Sequence, residues 1–330
     1  MLKFFKHSYM AQLVVIVLLI AVLWAPVFIG QPFDVVEESP ITPLYNILTG
    51  MLGSSNIAIT ILVMVLFAAC VLFFNAMMSV DNLVTHNSSI AAFVMVLCMC
   101  CAPIHNEYYP FLVSLPFVMI AQQTIFLIYG LEKPELYLFR AGFFVALGSM
   151  FYFPAILLIF WVLLALAVHG VREFRLYLIP VVGLLVPYII MASISYIVGV
   201  STNYIDYYTH AVTSFSLKKI SLTTMEITVL ATVFALSVLS IIKTWSQNAD
   251  NTMDVRKRKS VTLLLFMLSI FMLFTQQPVM CNGMFFLMAS VMISMALCHV
   301  KRTKLVDIVI IVIMVAVIAN QYLPLFGVIL

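Results

Sequence analysis

The sequence predicts an all-α, polytopic bundle of transmembrane helices. Three observations lead there. Of the 330 residues, 65% are hydrophobic and only 9% charged, a balance outside the range of water-soluble domains. Several apolar runs approach or exceed the ~20 residues that cross a bilayer as helix. Most basic residues fall at the N-terminus and in alternate gaps between those runs, as the positive-inside rule expects of a multi-pass protein. A β-barrel is excluded because its strands would alternate polar and apolar residues.

The spans read as roughly 10–30, 56–78, 88–104, 111–131, 140–153, 154–168, 176–199, 222–243, 260–277, 279–298 and 305–323. The first follows Lys3, Lys6 and His7, as a signal peptide would. It is too long for a signal core, and Pro26 stands where a cleavage site needs small residues, so an uncleaved anchor is expected. Residues 140–168 fit either one long helix or a short hairpin turning at Phe153-Pro154. Charge decides between them. With a hairpin, about 11 spans result, the N-terminus is cytoplasmic, and all 16 basic residues except Lys218 and Lys219 fall on the inner side. A single helix would export "RKRK" at 256–259. The net charge of +3 is therefore a topology signal and needs no nucleic acid to explain it. The six cysteines, including "CMCC" at 98–101, read as small apolar residues in or beside the spans.

No linker or repeat divides the chain, so residues 1–330 form one integral membrane domain. Its first outward loop, 31–55, contains "PITPLYNILTGMLG". Leu44, Ile47, Leu48, Met51 and Leu52 share one helical face there, which suits a short helix lying in the interface, with Pro40 and Pro43 near its start. A second outward loop covers 200–221, and a basic cytoplasmic loop covers 243–259.

The outward segments hold the candidate chemistry. "QPFDVVEESP" places Asp34, Glu37 and Glu38 together without a local Lys or Arg. "PIHNEYYP" carries His105, Glu107 and Tyr108. The loop at 200–221 adds Asp206, His210 and the outward cations Lys218 and Lys219. A metal site built from Asp34, His105, Glu107 and His210 would need three loops to meet, and no local spacing marks one. Inside the spans, Asn75, Gln122 and Gln123 are the most polar residues and read as amides joining helices. No acid or base lies near the middle of a span, which argues against a proton- or sodium-coupled transporter.

The stretches "DNLVTHNSSIAAFVMVLCMCCAPIHNEYYPFL" and "LFRAGFFVALGSMFYFPAILLIFWVLLALAVHGVREFRLYLIPVVGLLVPYII" resemble an uncharacterised family of Bacteroidota integral membrane proteins. More distantly, "APIH", "AGFFVALGSMFYFPAIL" and "VREFR" are similar to the pattern of GT-C membrane glycosyltransferases. The resemblance implies a polyprenyl-phosphate-linked sugar donor bound at the outward face of the inner membrane. It also implies a first-loop carboxylate that acts as base or positions a divalent cation. Asp34 matches by position, with Glu37 or Glu38 as substitutes, and Lys218 and Lys219 are the natural partners of the donor phosphate. Two other readings use the same outward loops: a non-catalytic subunit or assembly factor of an envelope complex, and a lipid or polysaccharide translocase.

Overall fold

A computed structural model describes residue 5 and residues 9–29, 42–52, 56–84, 88–101, 108–131, 133–198, 208, 224–246, 252–273, 283–298, 300 and 303–322. Among these residues the regular structure is entirely helical, with no strand. The helices are α1 (Tyr9–Ile29), α2 (Pro43–Leu52), α3 (Asn56–Val80), α4 (Ile90–Met99), α5 (Tyr109–Phe126), α6 (Glu135–Phe151), α7 (Leu158–His169), α8 (Phe174–Val198), α9 (Thr224–Ser246), α10 (Met253–Leu273), α11 (Gly283–Cys298) and α12 (Thr303–Tyr322). A short 3-10 turn, Phe153–Leu157, leads into α7. Five helices (α1, α3, α5, α8 and α9) are long and apolar enough to cross a membrane, and four shorter segments are apolar as well.

The interior and exterior of the bundle are alike in chemistry. All ten residues of α4 are buried, as are all of α11 except Ile293 and Leu297. These two helices pack along each other at the centre, and α1, α8 and α9 lie toward the outside. Val14 and Leu18 of α1, Val182 and Ile189 of α8, and Leu239 and Ile242 of α9 are exposed. Water would penalise such a surface, whereas lipid tails accept it. The fold is that of a membrane protein.

The chain breaks between α6 and α7, where Tyr152 takes an extended conformation and Pro154 enters the 3-10 turn. α7 then stops at Gly170, whose φ of +83° closes the helix in the left-handed conformation. Residues 135–169 are thus two short helices rather than one. The pair is held between α5, α8 and α10. Gly148 faces Ser114, Phe117 and Val118 of α5. On the other side, the backbones of α6 and α8 touch: a Cβ on Gly142 would collide with the Pro180 carbonyl, and one on Gly183 with that of Phe139. Buried Trp161 of α7 donates its indole N–H to the Val261 carbonyl of α10 at 2.9 Å.

Helix α2 forms where the apolar face was expected, with Pro43 as its first residue. Tyr45 points into the core and Ile47 and Met51 are exposed. The basic segment at 243–259 is less of a loop than its charge suggests. α9 runs on to Ser246, and α10 begins at Met253, so "RKRK" lies within the first two turns of a helix. Helical periodicity there sends successive charges to different neighbours, which lets the helix start before the apolar run.

Candidate functional site

Polar contacts gather at the two ends of the bundle. At one end, Thr42 donates to the Phe151 carbonyl at 2.9 Å, and the hydroxyls of Thr60 and Tyr109 share a hydrogen bond of 3.1 Å. Asn320 and Gln321 of α12 donate to the carbonyls of Cys101 and Cys100, at 2.9 and 2.8 Å, closing the C-terminus of α4. Tyr322 donates to the Val22 carbonyl, and the Tyr208 ring meets Phe153 and Tyr188. Gly283 sits where any Cβ would strike Phe111 and the Tyr108 hydroxyl. Residues 22, 42, 60, 100–101, 108–109, 151–153, 208, 283 and 320–322 therefore share one end.

Of the ten residues proposed from sequence, Tyr108 is the one the structure describes. Asp34, Glu37, Glu38, His105, Glu107, Asp206, His210, Lys218 and Lys219 lie outside the described residues. Tyr108 is 1% exposed, with its ring 5.6 Å from Phe111 and its hydroxyl 3.5 Å from the Met99 sulfur. In this position its side chain is packed inside the bundle. Among the described residues, no group of three or more His, Cys, Asp or Glu side chains converges as metal ligands would.

The opposite end holds a charged cluster. α3 closes at Asn82, whose φ of +55° turns the chain, with Leu83 and Val84 N–H groups returning to the Met78 carbonyl. This turn buries Asp81, whose Oδ1 accepts from Arg258 Nη1 at 3.2 Å, while Arg258 Nη2 lies 3.0 Å from Asp254. Burial pushes the Asp81 carboxyl up to about 6; Arg258 acts against that rise and Asp254 adds to it. Asp81 Oδ2, Asp254 Oδ1 and Arg258 Nε are buried without a hydrogen-bond partner among the described residues. Lys257 points another way. Its ammonium donates to the His169 carbonyl at 3.0 Å and lies 4.7 Å from the Tyr129 ring centroid, which places a cation at the C-terminus of α7.

Reading the basic run as a topology signal hides this cluster. The available clue is Asp81 itself, an acid set directly after a long apolar helix with no Lys or Arg near it in sequence to pair with. Of the amides expected to join helices, Asn75 accepts from the Ala92 N–H at 3.3 Å and so caps the start of α4. Gln122 is buried with neither side-chain atom paired among the described residues. Gln12 contributes instead, accepting from Ser89 across α1 and α4.

Comparison with protein-family models, with curated proteins and with solved structures gives no match.

Proposed function

We propose that this chain is a multi-pass protein of the inner membrane, with about 11 spans and a cytoplasmic N-terminus, that transfers a sugar from a polyprenyl phosphate at the outward face. The observation that supports this reading is the shared end described above. Segments 30–41, 102–107, 209–223 and 274–282 all begin or end at residues tied together there: Thr42, Cys101, Tyr108, Tyr208 and Gly283. Three of these segments carry Asp34, Glu37, Glu38, His105, Glu107, His210, Lys218 and Lys219. Charge assigns that end to the outside, because the opposite end holds Lys257, Arg258 and Lys259.

The chemistry assigned to these residues is an acceptor hydroxyl attacking the anomeric carbon. Asp34 takes the hydroxyl proton as the new C–O bond forms. The bond from the anomeric carbon to phosphate breaks, and polyprenyl phosphate leaves with its charge met by Lys218, Lys219 or a divalent cation.

Mass spectrometry of lipids retained by gently purified protein tests the reading. A stoichiometric polyprenyl phosphate or its sugar conjugate, together with loss of transfer in Asp34→Asn, supports it. Bulk phospholipid with a co-purifying protein favours the subunit reading. Retained carrier with transfer untouched in Asp34→Asn, Glu37→Gln and Glu38→Gln favours a translocase.

A further inference from the structure

The four basic residues at 256–259 are adjacent in sequence but meet different surroundings. Arg258 is claimed by Asp81 and Asp254, and Lys257 by the His169 carbonyl and Tyr129. Lys259 turns away from both. It is 6% exposed and lines a narrow cleft between α9, α10 and α11, walled by Ile241, Thr244, Trp245, Leu263, Met292 and Met295. No carboxylate among the described residues pairs with it. The Thr244 hydroxyl is already donated to the Ser240 carbonyl. Burial alone lowers the Lys259 ammonium from its ordinary range. An ammonium held against apolar walls without a counter-charge is disfavoured, and an anion in the cleft offsets that penalty.

The surroundings narrow the choice of anion. Trp245 stands in the last turn of α9 and is 51% exposed, the placement of an aromatic at a membrane interface. Lys259 lies in the second turn of α10, at the end of the bundle where the basic residues gather. Ile241, Leu263, Met292 and Met295 extend from it along the helices toward the bundle middle. A cation at headgroup depth above an apolar furrow matches a molecule with an anionic head and a hydrocarbon tail.

We propose that the cleft between α9, α10 and α11 is a binding site for one anionic phospholipid of the cytoplasmic leaflet, its phosphate at Lys259 and an acyl chain against the half-buried Ile241 and Leu263. Trp245 flanks the lipid at the surface. The site is separate from the outward loops and does not depend on their chemistry.

Trp245 also supplies the readout, because Trp24 and Trp161 are each 1% exposed. The full chain is placed in phosphatidylcholine nanodiscs containing a small fraction of phosphatidylglycerol brominated on its acyl chains. Specific binding quenches tryptophan emission at low mole fraction and saturates, with a preference over brominated phosphatidylcholine of about fivefold or more. Unbrominated phosphatidylglycerol reverses the quenching in wild-type protein, whereas glycerol phosphate at millimolar concentration does not. Lys259→Met removes the preference and Lys259→Arg keeps it. Equal quenching by both lipids in wild type overturns the proposal without reference to any variant. So does reversal by glycerol phosphate alone, or a preference unchanged in a folded Lys259→Met protein.

Discussion

Arg258 reaches 177 residues back along the chain to set its guanidinium 3.2 Å from the carboxylate of Asp81. The contact ties the turn after α3 to the first turns of α10. It links two helices that the sequence separates by most of the bundle, with Asp81 buried and Arg258 nearly so. Removing one partner of such a pair leaves a charge with little water to compensate it. Asp81→Ala is expected to destabilise the protein by roughly 2–4 kcal/mol, less than the full value for a broken buried pair because Asp254 still holds Arg258. Thermal unfolding in detergent measures this, and an unchanged midpoint would show that the pair does not hold α3 to α10.

The same carboxyl makes stability depend on pH. In the folded protein it titrates at about 6, above its ordinary 3.8, because burial outweighs the attraction of Arg258. The folded state therefore holds this proton more tightly than the unfolded state. Its contribution is fully present below about pH 3.8 and is lost as pH rises through 6, on the order of 2–3 kcal/mol across that window. Melting temperature in detergent should fall between pH 4 and pH 7 more steeply for wild type than for Asp81→Asn. Parallel curves for the two proteins would assign the pH dependence to other groups.

Where α6 crosses α8, two glycines leave no room for side chains. Gly142→Ala and Gly183→Ala each set a methyl against a main-chain carbonyl that cannot rotate aside. Each should destabilise by about 1–3 kcal/mol, the usual cost of overpacking. Gly50 in α2 has open space around it, so Gly50→Ala should be neutral or stabilising by up to about 1 kcal/mol. If all three variants melt together, backbone contact is not what holds the α6–α7 hairpin in place.

The sidedness proposed from charge can be read directly. In a Cys281→Ser background, where the five cysteines described are buried, Ser214→Cys should react with a membrane-impermeant maleimide in intact cells. Asn248→Cys should react only after permeabilisation. Labelling of both residues from the same side would require an additional or missing crossing between them.

Helix positions were largely legible from hydropathy, since the apolar runs at 10–30, 56–78 and 176–199 meet α1, α3 and α8 within a few residues. The turn at Phe153-Pro154 could be placed because only a hairpin keeps the basic residues on one side. The start of α10 could not, because its charges resemble a loop until Arg258 and Lys257 are seen to find partners in Asp81 and the His169 carbonyl. Those partners are far apart in sequence, and nothing local to "RKRK" announces them. The glycines of "AGFFVALG" stood out as a pattern, but their reason is three-dimensional: Gly142 and Gly148 face α8 and α5. Tyr108 shows the opposite case, since a tyrosine in a polar turn looked available and is instead enclosed by Phe111 and Met99.

The brevity of α4 has a consequence for how the protein is made. Ten residues give about 15 Å of helix, half the thickness of the hydrocarbon core. Such a segment is a poor candidate for stable insertion by itself. Its buried flank is supplied by α11, and its last carbonyls are closed by Asn320 and Gln321. All of these leave the ribosome roughly 190 residues or more after α4, which at ~5–20 residues per second is on the order of ten seconds or longer. During that interval the nascent chain carries an unfinished centre, and a chaperone or insertase acting on this protein has to shelter α4 until the last two helices arrive.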